Sequence, residues 1–337
     1  VPPASNQGHH DERPILPGLG ATVPSDLGLI SDGDRSRDNV TAPTPGSCAD
    51  MNTESIETEN ERKAAHKAMI WTRIFYGREV MERILDTIQV KQALHQRFVL
   101  RYAARAAMAG ILVCLMYVFA YQVKADLGHG FNPALNKYLT SLSFSGALVL
   151  IYFTNSELLT SNFMYFTVGR YYGKVGVQKE LGIWAICLLG NLAGIIFIAA
   201  LVWSCGLLSE AFIGNLMETV RAKTVGSGAW MIFVKAIFAN YFINISVIVA
   251  MQVKESFTKV VILMMGVTVF AYMGFEHVVA NSALFVLALF EQPAAVSLPD
   301  VTKNFVFSLL GNYVGGGLII GLFYAYLNDH RGERSQL

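Results

Sequence analysis

Three stretches of the chain, residues 106–123, 181–208 and 305–327, contain no charged side chain. Each is long enough to cross a hydrocarbon core of ~30 Å as a helix. A fourth, residues 229–251, carries one charge, Lys235. Two more are interrupted. Residues 138–156 are uncharged, meet Glu157 and continue uncharged over 158–169; residues 260–275 meet Glu276 and His277 before an uncharged 278–290. Six membrane elements are expected, two of them broken. Composition agrees, with 53% hydrophobic and only 15% charged residues, against about 25% charged in an ordinary soluble domain. A soluble enzyme is thereby nearly excluded. The near-balance of 26 basic and 25 acidic residues argues against a nucleic-acid partner.

The rest of the chain divides by composition. Residues 1–60 hold seven of the ten prolines and no Phe, Trp or Tyr, which predicts a disordered N-terminal tail. It lacks the basic-then-apolar order of a secretory signal, and Met51 is an alternative start. Residues 61–101 read as an amphipathic lead-in helix, with Ile70, Ile74, Phe75, Ile84, Leu85 and Ile88 set among charges. Its basic run, ten Lys or Arg from Arg62 to Arg105, predicts a solvated or interfacial face. A six-element membrane domain is expected over 102–328, in halves of about 102–208 and 229–328, with a short tail at 329–337. The basic lead-in helix outweighs the loops in setting orientation, so both termini are expected in the cytoplasm of a cell (inner) membrane protein. Cys48, Cys114, Cys187 and Cys205 form no CxxC pair, and three lie in apolar runs. No disulfide framework, metal site or cofactor is predicted.

The interruptions recur at matched positions. The second element of each half holds Glu, four residues, then Asn: Glu157-Leu-Leu-Thr-Ser-Asn162 and Glu276-His-Val-Val-Ala-Asn281. The third holds Leu-Leu-Gly-Asn-x-x-Gly, from Leu188 to Gly194 and from Leu309 to Gly315. The first elements match more weakly, as Ala106-x-x-Ala-Gly110 and Ala236-x-x-Ala-Asn240. Three crossings per half make such a repeat inverted, and paired breaks in its halves point to a transport site near the midplane. A break inside a spanning helix is tolerated only where its freed backbone groups face protein or a water-filled path. The positive ends of the helices that restart there favour a small anion.

His277 is the only histidine inside a membrane element, where an ionisable group marks a substrate or proton path; a hydrogen-bonded core histidine is the plainer alternative. Glu157 and Glu276 hold equivalent places, so each is expected to accept the backbone N–H groups freed at its break, with Asn162 and Asn281 beside them; a proton relay is the alternative. The Gly-Asn pairs at 190–191 and 311–312 suit either close helix packing or pore-lining amides. Lys235 either snorkels to the surface or charges an outer vestibule.

Together, Thr154-Asn-Ser-Glu-Leu-Leu-Thr-Ser-Asn162, Gly274-Phe-Glu-His-Val-Val-Ala-Asn281 and Leu310-Gly-Asn-Tyr-Val-Gly-Gly316 closely resemble motifs of the formate–nitrite transporter family. The resemblance covers about residues 100–327. It implies an all-α, six-helix, aquaporin-like inverted repeat with broken second and fifth helices, one pore per protomer and a homopentamer. The cargo it implies is a small monovalent weak-acid anion: formate, a related short monocarboxylate, nitrite or hydrosulfide. By position, His277 resembles the central pore histidine and Thr160 the threonine facing it. Asn240 and Asn312 match asparagines near the pore, and Phe144, Leu148, Leu158, Leu159, Ile243 and Phe270 match apolar constrictions. The outer lysine aligns with Lys223, Lys235 being the second candidate. Asn155 stands where many members have Gly, and Leu159 where many have Phe.

The mechanism these features predict is passage of the anion as its neutral acid, passive or proton-linked, with the proton from His277 or water. No GxxxxGK[ST] motif for nucleotide hydrolysis occurs. A neutral-solute channel of the aquaporin kind would require Asn-Pro-Ala breaks, and no proline occurs in 134–292. A membrane enzyme built on His277 and Glu276 lacks an accompanying nucleophile or metal cluster.

Overall fold

The computed structural model describes residues 58–66, 69, 77–128 and 130–329. Of the tail expected over 1–60 only 58–60 are described, and they are helical rather than disordered; the stretch with Ile70, Ile74 and Phe75 and the tail beyond Asp329 lie outside the described residues. The first helix described in full, α1 (Arg78–Arg97), buries Val80, Met81, Ile84 and Ile88 along one side. The lead-in helix is therefore part of the packed core, not only a solvated face. It ends at Phe98, whose φ of −142° is not helical, and α2 (Val99–Leu127) starts at once.

The first broken element is α3 (Pro133–Phe153) followed by α4 (Leu159–Tyr171). Asn132 caps α3 by accepting the N–H groups of Ala134 and Leu135 at 3.0 and 3.1 Å, and Pro133 presets its first turn. Then come α5 (Val177–Ser204), α6 (Glu210–Lys223) and α7 (Ala229–Gln252). The second broken element is α8 (Ser256–Met273) followed by α9 (Val278–Glu291), and α10 (Leu298–Leu327) closes the fold. Six of these helices, α2, α3, α5, α7, α8 and α10, are long and apolar enough to span a membrane. Among the described residues there is no β-strand. The helix α6 was not expected, and α5 stops at Ser204, four residues before the uncharged run ends.

The two halves pack alike. In the first, α5 crosses α2 so closely that a Cβ on Gly194 would collide with the Ala107 carbonyl, and one on Gly190 with Ala106. In the second, α10 crosses α7 so that a Cβ on Gly315 would strike the Ile237 carbonyl, and one on Gly311 the Phe233 carbonyl and Ala236. The Gly-Asn-x-x-Gly motif thus marks one crossing made twice, with small residues letting backbones meet. Starting inside the second copy of this motif, Tyr313–Leu322 winds as a π-helix. The outward sides of the spans carry large exposed apolar residues such as Phe119, Leu189, Phe197 and Tyr326.

Candidate functional site

Each helix break frees both donors and acceptors, and one asparagine answers both. At the first break, Asn191 Oδ1 accepts the Leu159 N–H at 3.1 Å, while its Nδ2 donates to the carbonyls of Ala106 and Glu157 at 2.8 Å. At the second, Asn312 Oδ1 accepts the Val278 N–H at 2.8 Å, and its Nδ2 donates to Ala236 O and Glu276 O at 2.8 and 2.9 Å. These are repeat-equivalent atoms throughout. Both asparagines are fully buried. Their amides hold the breaks together and line none of the three cavities described below.

The glutamates act differently from expectation. Glu157 Oε2 pairs with Lys91 and accepts Asn162 Nδ2 at 3.2 Å. Glu276 Oε2 takes Lys223 Nζ at 2.9 Å, Asn281 Nδ2 at 2.6 Å and Asn304 Nδ2 at 3.2 Å. The helix-starting N–H groups of Leu159 and Val278 go to the asparagines instead. A carboxylate can only accept, whereas a carboxamide both accepts and donates, as a cut helix requires. The carboxylates anchor α1 and α6 to the breaks, Lys91 belonging to α1 and Lys223 to α6.

His277 is the N-cap of α9. Its Nδ1 accepts the Ala280 N–H at 3.1 Å, and its Nε2 lies 2.8 Å from Thr160 Oγ1 on α4. With the Nδ1 lone pair engaged, the neutral ring carries its proton on Nε2 and donates it to Thr160. The Thr160 carbonyl in turn receives Asn240 Nδ2 at 3.1 Å and Asn244 Nδ2 at 3.3 Å, and Asn240 also reaches Asn312 O at 2.7 Å. The histidine, the threonine and both breaks are thus joined in one buried network.

Three cavities follow one another past His277. The largest, about 550 Å³, is lined by Tyr117, Tyr121, Lys124, Lys137, Lys223 and Phe275 among others, and ends on Phe144 and Phe270. Those two rings, in edge contact with centroids 6.0 Å apart, also bound a central space of about 20 Å³, large enough for about one water. Leu148, Leu158, Ile243 and His277 complete its wall. Leu148, Ile151 and Leu158 then adjoin the third cavity, about 280 Å³, lined by Lys91, Arg105, Glu157 and Asn155. His277 therefore sits between two apolar collars.

Five of the six expected constriction residues line this path. Leu159 does not: it is fully buried, and its neighbour Leu158 takes the place. Successive residues at a helix start point in different directions, so only one of the pair reaches the path. Lys223 lines the largest cavity, whereas Lys235 lines none of the three. Asn155 has φ of +52°, the left-handed region in which glycine is most at ease and asparagine is tolerated. Lys91 and Asn304 were not singled out in the sequence; Lys91 was lost in a basic run that reads as a solvated face.

A helical membrane protein with two matched helix breaks, and a histidine between collars on a discontinuous path, is built as a channel or transporter. A family described as "Formate/nitrite transporter" matches residues 78–326. The chain belongs to that family. It is 29% identical over 223 residues to the nitrite transporter NirC of Escherichia coli (strain K12), covering 66% of this chain and 81% of NirC. It is 27% identical over 241 residues to the formate channel FocA of Haemophilus influenzae, covering 65% of this chain and 84% of FocA. Among solved structures, an FNT family ion channel superposes with a TM-score of 0.66 at 24% identity, covering 74% of this chain and 98% of that one. A pentameric formate channel with formate bound gives 0.58 at 22% identity, covering 67% and 96%. These two share the fold.

Proposed function

We propose that the chain carries a small monovalent weak-acid anion, formate or a related short monocarboxylate, across the cell membrane, passively or linked to protons. The observation that carries this reading is the central space, closed by Phe144 and Phe270 on one side and by Leu148 and Leu158 on the other, with His277 in its wall. A fixed charge at mid-bilayer costs at least ~2.5–3.5 kcal/mol, and an unpaired anion between apolar collars faces a similar penalty. Protonation removes that penalty. A weak acid that gains a proton in one vestibule crosses as the neutral molecule and ionises again in the other.

His277 acts here as a hydrogen-bond donor through Nε2, turned toward Thr160 until the cargo arrives. It is not the proton source, because the Nδ1 that would have to carry a second proton is committed to the Ala280 N–H. The proton comes from vestibule water. Ile243 packs beside the collars; Asn240 and Asn312 brace Thr160 and the second break; Glu157, Glu276, Asn162 and Asn281 hold the breaks in place. The family resemblance and the pentameric structural neighbour support a homopentamer in the lipid bilayer, with one path per protomer. The basic lead-in helix supports cytoplasmic termini.

Nitrite is the second reading, favoured by the likeness to NirC. Uptake of labelled formate, lactate and nitrite into proteoliposomes separates them. Formate uptake faster than nitrite and lactate uptake, and stimulated by an inward proton gradient, is expected. Nitrite ahead of formate would replace the substrate, and equal, gradient-indifferent uptake of all three would overturn the weak-acid reading.

A further inference from the structure

The offset that aligns Ala106 with Ala236 also aligns Leu100 with Trp230. Both are unusually bare. Leu100 is 82% exposed, more than any other large apolar side chain among the described residues, and Trp230 is 74% exposed. Each is the second residue of its span, Leu100 on α2 and Trp230 on α7. With three crossings between them, the two helix starts lie at opposite membrane faces. Each face thus meets one bare apolar side chain at the level where acyl chains give way to headgroups. The flanking residues differ. Arg97 and Arg101 frame Leu100, whereas the equivalent positions around Trp230 hold Ser227 and Met231. The repeat supplies an apolar anchor at both faces and a pair of cations at only one.

Arg97 closes α1 and Arg101 lies in the first turn of α2, so the two belong to helices that meet at Phe98. Every residue from Gln96 to Arg101 is exposed, and neither arginine forms an ion pair with a described residue. The Arg101 guanidinium lies 4.9 Å over the Phe98 ring, which orients the charge without neutralising it. Neither arginine lines any of the three cavities, so the pair stands apart from the transport path. A guanidinium binds phosphate through two parallel N–H bonds. Two unpaired guanidinium groups beside a bare leucine at the end of a span match a phosphate joined to acyl chains. A zwitterionic phospholipid brings its own ammonium to that phosphate; an anionic one leaves the charge to the arginines. We propose that Arg97 and Arg101, with Leu100 and Phe98, bind the phosphate of an anionic glycerophospholipid in the leaflet that α1 borders, and that the opposite leaflet has no equivalent site.

The test melts the full chain in dodecyl maltoside with rising mole fractions of dioleoylphosphatidylglycerol or dioleoylphosphatidylcholine and reads the half-protecting fraction. Phosphatidylglycerol is expected to protect wild type at a lower fraction than phosphatidylcholine. Arg97→Gln and Arg101→Gln are each expected to raise the half-protecting phosphatidylglycerol fraction about fivefold, and the two together about twenty-fivefold. Arg221→Gln, at an exposed arginine of α6 outside the patch, leaves it unchanged. Inorganic phosphate and glycerol 3-phosphate are expected to protect neither wild type nor the variants. Equal protection of wild type by the two lipids overturns the proposal, as does undiminished phosphatidylglycerol protection of the double variant. Protection by inorganic phosphate that the arginine variants lose also overturns it, by making this a site for free phosphate. So does a double variant that elutes as a smaller assembly than wild type, since a second copy of the chain would then cover the patch.

Discussion

Asn191 and Asn312 each serve as donor and acceptor for a severed helix, and this double duty gives substitutions there a definite cost. Asn312→Leu leaves the Val278 N–H and the Glu276 carbonyl without their partner and removes the added bond to the Ala236 carbonyl, which keeps its helical one. Each orphaned buried group costs about 1–3 kcal/mol, so the detergent-solubilised protein is expected to melt several degrees lower. Lys223→Met is expected to be worse, at about 3–5 kcal/mol, because Glu276 then keeps an unpaired charge in a buried site. Lys223→Met combined with Glu276→Gln should recover much of that loss, and a double-mutant cycle on melting temperatures reads the coupling. At this scale the sequence carried the breaks, His277 and the acid–asparagine pairs, because ionisable residues stand out in apolar runs. It did not carry which of Leu158 and Leu159 reaches the path, since neighbours of the same type differ only in backbone direction. Nor did it show that asparagines, not glutamates, satisfy Leu159 and Val278, because both residue types accept hydrogen bonds.

Helix crossings are set by glycines, and the same substitution has opposite effects at two sites on α5. Gly194→Ala drives a Cβ into the Ala107 carbonyl, where backbone blocks any relief; separation of α2 from α5 and a marked fall in thermal stability are expected. Gly182→Ala meets no atom within 4 Å and should stabilise slightly, by about 0.5–1 kcal/mol, through the lower entropy of the unfolded chain. Melting curves of the two variants check the sign. The spans were legible in the sequence because the absence of charge over some twenty residues is a strong signal. The short helix α6 was not, because Glu210, Glu218, Arg221 and Lys223 interrupt any search for uncharged runs. Its apolar positions Phe212, Leu216 and Val220, four apart and all buried, are the trace that helical periodicity leaves. The helix matters to the site because it delivers Lys223 to Glu276.

For the whole molecule, the proposed function rests on one succession: a wide charged cavity, an aromatic collar, a space for about one water beside His277, an aliphatic collar, and a second charged cavity. On that proposal such a path passes what is small and can shed its charge, and the collars reject what cannot. Among the described residues His277, capping α9 through Nδ1 and donating through Nε2, is the only ionisable side chain lining the central space. Labelled formate uptake into proteoliposomes, with and without an inward proton gradient, compares wild type with His277→Asn. Proton-stimulated uptake in wild type that the variant loses, or replaces with a gradient-indifferent anion leak, is the expected result. Equal uptake of formate, lactate and nitrite by both proteins, with or without the gradient, would contradict any role for His277 in weak-acid passage.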